Sequence, residues 1–260
     1  MKRYVRIYIR LLHLNFSSLL AYRANFVNSV ISSSVWGAFS IISILLLTSR
    51  TSSLFGWSRH DIIFLTCSYS ILIGIFHTFF SRNFEHFSRI VDLGELDTLL
   101  IKPIDSQFFI SLRYVNYAST IRIVVGIILV SYLLRGETLS IIQLLGYGGM
   151  MLFGLLTLYA LWYIITSFTI WLSRLSNIVE FLFTITNVSR FPPQMYREFS
   201  WYLFLFFFPL TLIITTPTKF LLNKVDMYSV APLMVTAVLL FIFSRFFWKF
   251  ALRFYTSASS

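Results

Sequence analysis

Charge is what this sequence has least of. Only 12% of its 260 residues are Asp, Glu, Lys or Arg, against 57% hydrophobic and 19% aromatic, and the mean hydropathy is +0.79. Such a chain cannot cover itself with a soluble surface. Uncharged stretches of about 18 or more residues instead match the length that crosses a hydrocarbon core of roughly 30 Å. Cysteine is nearly absent as well. The lone Cys67 excludes an internal disulfide, a four-cysteine zinc site and a C-x-x-C redox pair. No Gly-Lys pair occurs anywhere, so the chain has no P-loop for ATP. H-E-x-x-H, G-x-S-x-G and S-x-x-K are missing, and His13, His60, His77 and His86 do not fall at metal-ligand spacing. No catalytic residue, metal site or cofactor of its own is therefore expected. Acids are outnumbered, 10 against 21 bases, for a formal charge of +11. Basic residues that flank apolar spans serve anionic lipid headgroups, so membrane lipid is the expected partner and nucleic acid is not.

What is present is helical periodicity. In MKRYVRIYIRLLHLNFSSLLAYR, Arg3, Arg6, Arg10 and His13 share one helix face, and Val5, Ile9, Leu12, Phe16 and Leu19 share another. The charges interrupt what would be the core of a signal peptide, and no A-x-A site follows. The pattern predicts an interfacial amphipathic helix over residues 1–22.

Apolar stretches follow at residues 24–49, 62–81, 115–134, 138–173, 175–188, 199–218 and 227–244. The fourth is too short for two crossings and reads as one long helix, bent near Gly146, Gly148 and Gly149. Lys2, Arg3, Arg6, Arg10 and Arg23 place the beginning of the chain in the cytoplasm, and Arg245, Lys249 and Arg253 place the other end there. An even number of crossings is then required, so one of the seven stretches does not cross. Residues 190–222, with Arg190, Pro192, Pro193, Pro209 and Pro217, are expected to break into short helices as an outer re-entrant hairpin. The fold expected is an all-α integral membrane protein. It is a single transmembrane domain over residues 1–260, with six transmembrane helices, the N-terminal amphipathic helix and the hairpin before the last span.

Residues 82–112 form the main cytoplasmic excursion. Glu85, Asp92, Glu95, Asp97 and Asp105, five of the ten carboxylates, fall in it. Phe80, Phe84, Phe87 and Val91 make an apolar stripe on a helix leaving the membrane. Gly94 suits a C-terminal cap, Asp97 is placed to cap a short helix over residues 98–101, and Pro103 ends it. The turn is expected to expose Leu96, Leu99 and Leu100 among acids, a docking surface more than a catalytic pocket. Within the spans two ionised groups stand out, Arg122 and Glu180. They read either as a structural contact, Arg122 snorkelling or pairing with Glu180, or as groups that serve cargo or the transport switch.

The run GELDTLLIKPI, residues 94–104, resembles the G-x-L-D-x-L-L-x-[KR]-P motif of bacterial ABC-transporter permeases of the ABC-type-2 class. RFPPQMYREFSWYLFLFFFPLTLIITTP, residues 190–217, is similar to that family's stretch beginning R-Y-P, with Phe191 in the place of the usual tyrosine. ALRFYTSASS, residues 251–260, is similar to its terminal L-R-x-Y-x-S-A-S-S. The resemblance covers nearly the whole chain. It implies the transmembrane subunit of an exporter in the bacterial plasma membrane, working as a pair with an identical or sister permease. It also implies two separate ATPase subunits, which carry ATP and Mg²⁺. Leu93, Gly94, Glu95, Leu96, Asp97, Leu99, Leu100, Lys102 and Pro103 would be the coupling segment seated on the ATPase. The residues alone leave two other readings open. One is a membrane enzyme for lipid-linked substrates using His86, Asp92, Glu95 and Asp97; the other is a secondary carrier using Glu180.

Overall fold

A computed structural model describes residues 2–50, 53–54, 56–135, 140–171, 178–224 and 227–255, without the side chains of Leu54, Asp92, Trp201, Met227 and residues 198–199 and 203–208. Most side chains of the aromatic run WYLFLFFFPL, and residues 256–260 of the terminal motif, thus lie outside the described residues.

The chain opens with α1 (Lys2–Ala21) and α2 (Arg23–Leu47), followed by a small hairpin, β1 (Ser53–Leu54) and β2 (Trp57–Ser58). Ser58 then caps α3 (Arg59–Phe76), its hydroxyl accepting from the Asp61 N–H at 3.2 Å. A π-helical turn, His77–Ser81, carries α3 into α4 (Arg82–Asp92). Short α5 (Leu96–Leu100) and α6 (Ser106–Leu112) come next. A 3-10 turn, Tyr117–Ser119, leads into α7 (Thr120–Leu133), and α8 (Ile141–Ser167) follows. After α9 (Ile178–Val188) and α10 (Pro193–Phe199) come α11 (Trp201–Leu221) and α12 (Met227–Ala251).

Among the described residues four helices are long and apolar enough to cross a membrane: Arg23–Leu47, Arg59–Val91, Ile141–Ile170 and Tyr228–Phe254. A fifth candidate is the pair Ser106–Leu112 and Tyr117–Leu133, bent by 60°. Of the stretch expected as the fifth span, the described residues form an 11-residue helix, α9, about 16 Å long. The Arg59–Val91 helix is the central post, 78% buried, while Arg23–Leu47 is 11% buried and shows most of its surface.

Helices immersed in lipid gain little from hiding apolar surface from one another, so close packing at small residues holds them. A Cβ at position 74 would lie 3.0 Å from the Ile123 nitrogen, and one at 126 would lie 3.2 Å from the Cys67 carbonyl oxygen, which seats α7 on α3. α8 runs unbroken past Gly146, whose missing side chain makes room for the Phe220 ring.

Pro209 and Pro217 do not break the segment they occupy. Both lie inside one 21-residue helix, α11, and the break falls at the extended Ser200. Pro217 cannot donate to the carbonyl four residues back, which belongs to Ile213. That oxygen lies 2.6 Å from where a Cβ of Gly154 would be, so the missing side chain on α8 makes room for it. Helix breakers are tolerated where neighbours shelter the freed backbone groups.

Candidate functional site

α4 ends as the sequence demands. Gly94 has φ +70°, its N–H donates to Val91 O at 3.1 Å, and the Glu95 N–H donates to Ile90 O at 2.9 Å. Together these are the two bonds of a Schellman cap, which glycine permits by adopting positive φ without strain. The stripe on α4 is buried as expected: Phe84, Phe87 and Val91 all face inward. The turn beyond it differs from expectation. Leu96 and Leu99 are 0% and 5% exposed and belong to the main core, whereas Leu93 and Ile101 stand out at 58% and 82%. Leu100 is exposed too, as expected. A five-residue helix has room for one inward face, and here that face joins the main core, on which Leu252 and Tyr255 also pack.

Nor is Asp97 the cap of that helix. Glu95 occupies the cap position without a side-chain bond, and Asp97 sits in the first turn. Its carboxylate lies beside Tyr255, whose hydroxyl is pushed to a higher pKa first by burial and then by that charge. The acids therefore scatter: Glu95 is exposed, and the Asp105 carboxylate accepts from both Arg245 Nη1, at 2.9 Å, and Nη2. The ring of His86 lies edge-on to Tyr114 at 4.7 Å. Asp105 also caps α6, accepting from the Phe108 N–H at 2.9 Å.

Two further sets of contacts hold this region. Arg245 Nη1 also donates to Gln107 Oε1 at 3.1 Å, Gln107 donates to the Tyr159 hydroxyl at 3.2 Å, and Trp248 Nε1 donates to Ser106 at 2.9 Å. α6, α8 and α12 are thereby joined. Meanwhile α1 lies along the same segment: Arg3 donates to Pro103 O at 2.9 Å, Asn15 to Arg113 O at 2.9 Å, and Tyr117 OH to Leu12 O at 3.0 Å. Lys102 sits over the Phe109 ring at 4.8 Å. Sequence reasoning missed Asn83, which is 2% exposed and exchanges two bonds with the Tyr114 backbone, at 2.7 and 2.8 Å. It fixes the turn before α7, helped by the Thr78 carbonyl of the π-turn, which accepts from Asn116 N–H at 2.8 Å. An asparagine on an apolar helix face is the signal that marks such a residue.

Deep in the bundle, Arg122 and Glu180 do not meet. Glu180 is exposed on α9, and its backbone carbonyl accepts from Thr184 at 3.0 Å. A second half-buried cation is Arg190, whose Nη1 and Nη2 reach Ser40 and Ser43 on α2 at 3.2 and 3.4 Å. Arg122 crosses the same helix at Gly37, where a Cβ would stand 4.0 Å from its Nε. Pro192 caps α10, while Pro209 and Pro217 line α11. Both ends of the α10–α11 pair meet Trp57: its Nε1 donates to Gln194 at 3.1 Å, and Lys219 lies over its ring at 5.5 Å. Lys224 closes this end of the bundle on the Asp61 carboxylate at 2.8 Å.

The family model for ABC-2 family transporter proteins matches residues 34–259, from mid-α2 through the C-terminal segment. The chain belongs to the ABC-2 family of transporter proteins. It is thus a multi-pass membrane subunit of an ABC transporter, a non-catalytic transport component that associates with ABC ATPase subunits. Comparison with curated proteins and with solved structures gives no match.

Proposed function

We propose that this ABC-2 permease is the membrane half of an exporter in the bacterial inner membrane. It forms the translocation path as a dimer with an identical or sister chain, above two ATPase subunits that bind ATP and Mg²⁺. Leu93, Gly94, Glu95, Leu96, Asp97, Leu99, Leu100, Lys102 and Pro103 make the coupling segment. Within it Leu93, Leu100 and Ile101 supply the contact surface, Leu96 and Leu99 anchor the segment to the core, and Gly94 sets the turn. The observation that carries this reading is mechanical. The exposed tip terminates a helix that runs through the π-turn from Asp92 back to Arg59 and is the most buried span of the bundle. A push on the tip acts on the packing of the whole membrane domain.

The layout that fits is six crossings with both ends cytoplasmic. Arg3 and Tyr255, near opposite ends of the chain, both meet the 97–103 segment, in support of a shared side. α1, with Val5, Ile9 and Phe16 exposed, is the interfacial elbow. α9 is a shortened fifth crossing, and the α10–α11 pair is the outer re-entrant element, supported by the meeting of both its ends at Trp57.

The test is capture of the full-length chain with its ABC ATPase from membranes. Leu93→Arg with Ile101→Arg is expected to lower ATPase recovery at least tenfold at unchanged permease level, the effect of burying two unpaired charges in a contact. Undiminished recovery would remove the coupling assignment. Leu96→Arg is the wrong variant for this purpose, since it would break the core.

A further inference from the structure

Two arginines on one membrane-embedded track, without a counter-charge, require an explanation. Gly37, Ser40 and Ser43 lie along one side of α2; Arg122 crosses at the first and Arg190 binds the other two. Three residues of helix rise about 4.5 Å, so the two arginines meet α2 about one turn apart. Both act electrostatically on the Tyr69 hydroxyl, which donates to Asn187 Oδ1 at 2.9 Å. The Nε atoms of Arg122 and Arg190 are buried and make no hydrogen bond. Neither side chain pairs with a carboxylate among the described residues. Holding two like charges at membrane depth is expensive. A purely structural role would be served better by serine or methionine.

A cavity of about 730 Å³ lies between α1, α2 and the 113–118 segment, with Arg82 and Arg113 in its wall and Glu85 as the one carboxylate lining it. Ser29 and Ala118 belong to its lining. Arg122 is one turn beyond Ala118 on the same helical run, and Gly37 is two turns beyond Ser29 on the same face of α2. The α2 surface beside the track is apolar and uncovered: Val35, Trp36 and Phe39 are 60–66% exposed. A cationic track beside an apolar wall suits a molecule with a charged head and a hydrocarbon body.

We propose that Arg122 and Arg190 form an intramembrane receptor for the anionic headgroup, phosphate or carboxylate, of an amphiphilic cargo that comes up from the cavity between α1 and α2. Resting on the transporter reading, this names the class of its cargo. Tyr69 and Asn187 supply neutral hydrogen bonds beside the pair, and the exposed face of α2 accommodates the tail.

The test uses the full-length chain alone in neutral detergent, so its result does not depend on ATPase coupling. Native mass spectrometry would follow titration with dioleoyl phosphatidic acid, dioleoylglycerol and inorganic phosphate. Phosphatidic acid is expected to bind at least tenfold tighter than dioleoylglycerol. Arg122→Gln and Arg190→Gln should each weaken it roughly tenfold, the weight of one charge-assisted contact. Arg122→Lys should retain most of the affinity, and Arg253→Gln, an exposed charge elsewhere, should change nothing. Equal binding of the two lipids, or glutamine variants that bind phosphatidic acid as well as the parent does, would overturn the proposal. Inorganic phosphate binding as tightly as the lipid would assign a free-anion site and overturn the amphiphile. Loss of chain–chain association with lipid binding intact would assign the arginines to the dimer contact and overturn it as well. Failure of the transporter reading would show elsewhere, as a chain that recovers no ATPase.

Discussion

Arg245 and Arg122 both sit on apolar helices, and they meet opposite surroundings. Arg245 gives both Nη groups to Asp105, adds Gln107, and through Gln107 reaches Tyr159. Arg122 has a buried Nε with nothing to donate to among the described residues, and a glycine opposite it. The first is a charge whose partners the chain itself supplies. The second is held by packing, with Gly74 and Gly37 fitted around its side chain. A buried charge that is paired stabilises a fold only modestly, but removing one partner leaves the other stranded. An unpaired one is a standing cost that a fold keeps for binding. The same chain thus uses arginine once to close a joint between α6 and α12, and once for work at membrane depth.

That contrast predicts effects of opposite sign. Asp105→Ala removes a helix cap and strands Arg245, for an expected loss of about 2–3 kcal/mol, discounted because both side chains keep some solvent. In thermal unfolding in neutral detergent this should appear as a drop of roughly 5 °C or more. An unchanged midpoint would mean that the network does not hold α6 to α12. Arg122→Met should move the midpoint the other way, upward by the equivalent of about 1 kcal/mol, because it removes an unpaired charge and keeps most of the volume. If the midpoint falls instead, Arg122 has a structural partner, and the contrast drawn above fails.

How much of this was legible in the sequence depends on the range of the interaction. The α4 stripe and the Gly94 turn follow from local periodicity and backbone sterics, and both are where the residues place them. The long helices α2, α3, α8 and α12 could be read from uncharged length alone. What failed was tertiary. Leu96 and Leu99 look like a docking face until the segment is folded against the main core, and nothing within residues 94–104 encodes that. Pro209 and Pro217 read as breaks because their cost is local, while the relief for Pro217 comes from Gly154, far away in sequence. Arg190 was legible as a charge but not as a partner of α2, since the prolines that follow it placed it in an outer re-entrant hairpin. Pairing of Arg122 with Glu180 was one of the readings the residues left open; Glu180 is exposed on α9 and does not meet it.

The smallest expected effect isolates the charge of Asp105 from its capping role. Asparagine caps a helix as well as aspartate does, so Asp105→Asn keeps the bond to the Phe108 N–H and loses only the ionic contact. The Arg245 hydrogen bonds, opposed by partial burial and helped by the Phe108 N–H, hold the Asp105 carboxyl below the ordinary carboxylate range. A carboxyl whose folded pKa is depressed contributes stability that is fully present above its unfolded value of about 3.9, and loses it as pH falls through the folded value. The parent should therefore exceed Asp105→Asn in thermal midpoint by a constant margin from pH 7 to about pH 5. Below about pH 4 that margin should shrink. The other carboxylates titrate in both proteins and cancel in the difference, since distant sites are additive. A margin that persists undiminished to about pH 3 would show that Arg245 is held by Gln107 rather than by the charge on Asp105, and the ionic half of the joint would have to be given up.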